Sequence, residues 1–143
     1  MRSQIKTRVI VAEDDTDILD LVLFKLTQAG FEVDGVTDGD AALAAIEAKP
    51  PKLAILDIVM PGLSGLDVLA NLRAREATKN LDVILLTARA RDCDVAIGMA
   101  AGASDYVIKP FSPNELLQRI DTVLSNRKII NLRKSIRAHS PLM

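Results

Sequence analysis

Apolar residues come in five short runs along the 143-residue chain: RVIVA at 8–12, FEVDGV at 31–36, KLAILDI at 52–58, DVILLTA at 82–88 and DYVIKP at 105–110. The first, third and fourth are β-branched and aliphatic without polar alternation, the pattern of strands buried on both faces. Between the runs the spacing becomes helical. In DILDLVLFKLTQAG, Ile18, Leu21, Val22, Lys25 and Leu26 fall on one helical track, which stops at Gly30. DGDAALAAIEAK (38–49) is rich in alanine and ends before Pro50-Pro51. LDVLANLRAR (66–75), RDCDVAIGMAAGA (91–103) and NELLQRIDTVL (114–124) complete five alternations of strand and helix. Gly62 and Gly65 read as glycines of backbone turns.

Strands joined by crossovers of helix length predict an α/β fold, a doubly wound five-stranded parallel sheet with helices on both faces. The flavodoxin-like strand order 2-1-3-4-5 brings the carboxyl ends of strands one, three, four and five together, where ligands bind in sheets of this kind. Each of those four ends carries a polar group. Glu13, Asp14 and Asp15 follow strand one, Asp57 follows the apolar run AIL of strand three, Thr87 closes strand four and Lys109 closes strand five.

Carboxylates gathered in one place repel one another unless a cation holds them together. Oxygen ligands select a hard cation, and Mg²⁺ uses one or two protein carboxylates while keeping several waters. Lys109 adds a compact positive charge and Thr87 a hydroxyl. A carboxylate in such company is suited to receive a phosphoryl group, whose transfer depends on positioning and charge neutralisation. Asp57 is the candidate acceptor.

Composition and charge narrow the setting. With 49% hydrophobic and 26% charged residues the chain reads as a soluble globular domain. No apolar run reaches membrane-spanning length, and the charged start MRSQIKTRVIVAEDD lacks the core of a signal peptide, so the expected location is cytoplasmic. One cysteine, Cys93, and one histidine, His139, exclude an internal disulfide, a thiolate metal cluster and an intrachain Ser-His-Asp triad. The charge is unevenly spread. Residues 126–143 hold five of the 18 Lys and Arg and none of the 19 Asp and Glu, leaving an acidic body and a basic tail.

The acidic cluster VAEDD, the acceptor segment LDIVMPGLSG, the hydroxyl in LLTAR and the lysine in YVIKP occur in that order on the predicted strand ends. On these motifs the chain resembles the receiver domain of bacterial two-component response regulators, chemotaxis receivers included, over roughly residues 7–125. The resemblance implies that Asp57 is phosphorylated by a histidine kinase or phosphotransfer protein. It implies Mg²⁺ held by Asp14, Asp57 and the backbone carbonyl of Val59, with Glu13 acting through water and Asp15 not a direct ligand. Lys109 would pair with phosphoryl oxygens, Thr87 would move to bond one of them, and Tyr106 would change exposure with Thr87. The Lys109–Pro110 peptide would be cis. Val59 and Arg89 occupy positions that tune the lifetime of the phosphorylated state. The resemblance describes a signalling domain that catalyses only its own phosphorylation and dephosphorylation. It would control an output domain or partner protein, or a homodimer, through the face of helix 4, strand 5 and helix 5, without contacting nucleic acid or membrane itself.

Two other readings compete. Asp15–Asp17, DTD, resembles the paired aspartates of haloacid-dehalogenase-like phosphatases, but in that family the nucleophile closes the first strand. Asp17 falls where the first helix begins and reads as its N-terminal cap. A pseudo-receiver used only for docking is disfavoured because every acceptor-site element is present. Residues 126–143 form a basic C-terminal extension. Ile129, Leu132 and Ile136 recur three and four apart, so the extension reads in one of two ways: 113–137 form one helix of about 37 Å whose end projects from the body as a linker, a pairing helix or a docking arm, or the last helix ends near residue 125 and a frayed basic tail follows.

Overall fold

The computed structural model describes residues 6–88 and 92–138. Strands and helices alternate as β1 (Arg8–Ala12), α1 (Thr16–Gln28), β2 (Glu32–Val36), α2 (Gly39–Ala48), β3 (Leu53–Asp57), α3 (Gly65–Arg73), β4 (Asp82–Ala88), α4 (Asp92–Ala100), β5 (Asp105–Lys109) and α5 (Pro113–Ala138). The strands form one sheet in the order β2-β1-β3-β4-β5, with every pairing parallel. This is the doubly wound order predicted from the sequence.

The pleat of the three inner strands sends alternate side chains to opposite layers. Ile10, Ala54, Leu56, Val83 and Leu85 meet Ala42, Ile46, Val68, Leu69 and Leu72 from α2 and α3. Val9, Val11, Leu53, Ile55, Ile84 and Leu86 meet Leu19, Val22, Leu26, Leu116 and Ile120 from α1 and α5. These are the strands whose sequences lack polar alternation; the edge strands β2 and β5 are partly exposed.

The start of α1 differs from expectation. Asp15, not Asp17, is the cap, its Oδ1 accepting from the backbone N–H groups of Asp17 and Ile18 at 3.0 and 3.2 Å. A cap must stand before the first helical residue with its side chain turned back, and Asp17 already lies in the first turn. The buried face of α1 is Leu19, Val22 and Leu26, whereas Leu21 is exposed.

One continuous helix runs from Pro113 to Ala138, about 39 Å long. Leu116, Ile120 and Val123 bury its first half against the sheet. One turn later Arg127 reaches the base of β4, Nε lying 3.3 Å from Asp82 Oδ2, and it donates to the Asn80 carbonyl at 3.1 Å. Asp82 is buried and also accepts from Ser104 Oγ at 2.9 Å. Removing the arginine strands a buried carboxylate, so Arg127→Ala is expected to lower the unfolding free energy by about 1–2 kcal/mol. A urea titration checks this, and an unchanged midpoint would make the contact energetically idle. No helix among the described residues is long and apolar enough to cross a membrane.

Candidate phosphoryl-acceptor site

The carboxyl edge of the sheet gathers the predicted groups. Asp57 is the last residue of β3, and the following peptide is held by Ile58 N–H donating to the Leu86 carbonyl at 3.0 Å. The chain then turns through Gly62, whose φ of +72° lies in the left-handed region. Gly65 has a different role from the turn expected of it. It opens α3, donates to the Ile58 carbonyl at 2.9 Å, and stands where an added Cβ would lie 2.4 Å from the Asp57 carbonyl oxygen. Close approach, not a special φ, requires glycine there.

Glu13 leaves β1 with its N–H donating to the Val36 carbonyl at 3.1 Å, which turns the side chain inward to full burial. Its Oε2 accepts from Asp15 N–H at 3.1 Å. Asp14 stands exposed beside it, and carboxylate oxygens of Glu13, Asp14 and Asp57 lie within 4.8 Å of one another. Lys109 Nζ enters from the end of β5, 3.0 Å from Asp57 Oδ2 and 2.5 Å from Glu13 Oε1. The other acceptor oxygen, Asp57 Oδ1, accepts from Val59 N–H at 3.3 Å. These groups line an open hollow of about 430 Å³.

The balance of charge is uneven. Burial pushes the Glu13 carboxyl up to about 7, with the Asp57 carboxylate adding to the rise and Lys109 opposing it. Burial disfavours the Lys109 ammonium, but the adjacent Glu13 and Asp57 carboxylates outweigh that and hold its pKa above the ordinary value. Glu13 Oε1 is buried without an aligned hydrogen-bond donor, although the Lys109 charge is adjacent. Among the described residues three carboxylates share one ammonium, and an oxygen-rich site with surplus negative charge fits a hard divalent cation such as Mg²⁺.

A pH dependence follows. Glu13 has a raised pKa in the folded chain, so between about 4.5 and about 7 the folded state binds more protons than the unfolded one. Its contribution to stability is therefore lost as pH rises through that window. Without divalent cations the melting temperature is expected to fall from pH 5 to pH 7.5, and Glu13→Gln to flatten the fall. An equal slope in both proteins would remove Glu13 as its source.

Thr87 closes the inner part of β4, buried, with Oγ1 donating to the Ala88 carbonyl at 3.2 Å and not to Asp57. Tyr106 is half-buried on β5, packed against the core layer of α2 and α3. The Lys109–Pro110 peptide is cis. Arg89 and His139 lie outside the described residues.

Comparison with known proteins decides the family. The sequence profile of the response regulator receiver domain matches residues 9–121. The chain belongs to that family. It is 43% identical over 118 residues to the sensory transduction protein RegX3 of Mycobacterium tuberculosis, covering 82% of this chain and 51% of the relative. Chemotaxis response regulator CheY4 of Vibrio cholerae superposes with a TM-score of 0.79 at 28% identity, over 83% of this chain and 99% of that one. NtrX of Brucella abortus superposes with a TM-score of 0.88 at 28% identity, over 97% of this chain and 31% of that one. The receiver thus spans about half the length of RegX3 and a smaller part of NtrX. Mg²⁺ binding is general among receivers.

Proposed function

We propose that the receiver is a phosphorylation-controlled switch in which Asp57 accepts a phosphoryl group from a histidine kinase or phosphotransfer protein. The observation that carries this reading is a nearly buried Asp57 carboxylate facing Lys109 Nζ at 3.0 Å within a cluster of two further acids. An Asp57 oxygen attacks phosphorus as the donor's P–N bond breaks, and the imidazole leaves with the bonding pair. Lys109 offsets charge on the phosphoryl oxygens. Val59 N–H orients the carboxylate through the oxygen that Lys109 does not touch. Asp14, Asp57 and the Val59 carbonyl would hold Mg²⁺, with Glu13 acting through water. When bound, the cation supplies charge neutralisation and in-line positioning.

Release of the signal begins at Thr87. Its hydroxyl has to leave the Ala88 carbonyl to reach a phosphoryl oxygen, and that movement changes the packing beside Tyr106. The face of α4, β5 and α5 is the output surface, where a partner, an output domain or a second copy responds. Exposed Ile97 and Met99 on α4 and Ile108 on β5 support this assignment. Residues 7–125 form the switching unit, residues 126–143 its basic extension, and the setting is cytoplasmic.

Incubation with Mg²⁺ and acetyl phosphate should add one hydroxylamine-labile phosphoryl group per chain. Continuous turnover of phosphomonoesters would instead favour a phosphatase. Beryllofluoride, standing in for the phosphoryl group, should alter the environment of Tyr106 in the wild type and do so less in Thr87→Ala. An equal change in both would disprove the relay through Thr87.

A further inference from the structure

The loop between β3 and α3 carries the peptide that touches the acceptor. Val59 N–H donates to Asp57 Oδ1 at 3.3 Å, and the Val59 carbonyl is among the groups that would hold Mg²⁺. The Val59 side chain is 51% exposed, so its own packing does little to fix that backbone. The neighbours on either side must do so. Before it, Ile58 is tied twice, its N–H donating to the Leu86 carbonyl at 3.0 Å and its carbonyl accepting from Gly65 N–H at 2.9 Å. After it, the support comes from α2, which contributes no side chain to the hollow around Asp57 among the described residues.

The amino end of α2 meets the loop at Pro61, Gly62 and Leu63 in turn. Gly39 N–H, one of the donors that a helix leaves unpaired at its start, donates to the Pro61 carbonyl at 3.3 Å. The Asp40 carboxylate lies against Gly62, on the side where a Cβ would stand. Gly39 faces the Leu63 peptide so closely that an added Cβ would overlap the carbonyl oxygen and lie 2.6 Å from its carbon. Met60, between these contacts and Val59, is buried in the layer of α2 and α3. The helix is itself held. Asp38 caps it, Oδ1 accepting from Ala41 N–H at 2.7 Å, and Ala42 and Ile46 are fully buried. A fixed helix start therefore abuts the loop, and only Val59 and Met60 lie between that anchor and Ile58.

We propose that the amino end of α2, with Gly39 at its centre, is a positioning element for the acceptor site, setting the Val59 peptide both for Asp57 and for the cation. This rests on the reading of Asp57 as phosphoryl acceptor and extends the site to a helix that neither the strand ends nor the acidic cluster includes. Gly39 acts through Pro61 and Leu63 and touches no reacting atom. Because Ala42 and Ile46 keep α2 in place, a methyl group at position 39 displaces the Leu63 carbonyl, and the displacement reaches Val59 across a few residues of backbone. Disturbing the support behind a metal-binding group costs about ten- to a hundredfold in affinity or activity.

The test is titration of the full chain with Mn²⁺, a paramagnetic stand-in for Mg²⁺, read by electron paramagnetic resonance, alongside labelling by acetyl phosphate and thermal melts. Gly39→Ala is expected to weaken Mn²⁺ binding about tenfold and to slow labelling in step. Ala42→Gly loosens the same helix without touching the loop, so it should lower the melting temperature and leave Mn²⁺ affinity unchanged. Asp38→Ala frees the first turn of α2 and should weaken Mn²⁺ binding severalfold, whereas Asp38→Asn, which caps as well without the charge, should bind as the wild type does. If Gly39→Ala does not fold, the two Asp38 variants decide. Wild-type Mn²⁺ affinity in a folded Gly39→Ala chain, an equal loss in Ala42→Gly, or equal losses in Asp38→Ala and Asp38→Asn would overturn the positioning role. A wild type that neither binds Mn²⁺ nor takes up a phosphoryl group would instead overturn the acceptor reading on which the proposal stands.

Discussion

Asp57→Asn is expected to reduce phosphoryl incorporation from acetyl phosphate to below ~1% of the wild-type rate while leaving the chain folded and, without divalent cations, more stable. The loss follows from nucleophilicity. An amide of the same shape offers no anionic oxygen to attack phosphorus, although it still accepts the Val59 N–H bond. The gain follows from electrostatics. The Asp57 carboxylate is one of the causes that push the Glu13 carboxyl up to about 7. A neutral amide removes that repulsion, while Lys109 keeps Glu13 as a partner at 2.5 Å. Radiolabel incorporation and thermal melts at pH 7.5 on the same preparations separate the two effects. Wild-type incorporation in the Asn protein would locate the acceptor elsewhere, and a lower melting temperature would mean that repulsion between the acids is not a net cost.

Gly65→Ala is expected to cost about 3 kcal/mol and to slow phosphorylation as well. The missing side chain leaves room for the peptide that carries the acceptor. An added Cβ would lie 2.4 Å from the Asp57 carbonyl oxygen and 3.0 Å from its carbon. Both are backbone atoms, so no rotamer change relieves the clash. Either α3 retreats, losing the 2.9 Å bond from Gly65 N–H to the Ile58 carbonyl, or the end of β3 shifts and takes the carboxylate with it. Alanine is otherwise the better helix former, so any destabilisation comes from this contact. Urea unfolding together with the phosphorylation rate tests the account. An alanine variant as stable as the wild type would show that α3 can move away freely.

The fold was legible because three strands buried on both faces must be written almost wholly in apolar residues. RVIVA, LAILD and DVILLTA have no alternation to be misread. The strand ends were legible for a related reason, since a polar group closing such a run stands out. Contacts that depend on three-dimensional approach were less visible. Glu13 and Asp14 are adjacent acids in the sequence, yet one is fully buried and the other exposed, because the backbone bond to Val36 sets which side chain turns inward. Gly65 looked like one more turn glycine until α3 was seen against Asp57. Arg127 read as part of a uniformly basic tail, and its pairing with Asp82 joins residues 45 apart in sequence.

The unaligned oxygen of Glu13 has a consequence for anyone who improves this protein by selecting for heat resistance. A library sorted only by survival at high temperature would reach the crowded acids early, because neutralising any of them removes repulsion without opening a cavity. The winners would be well-folded chains that signal nothing. A screen meant to keep the switch must therefore alternate thermal challenge with a readout of phosphoryl uptake.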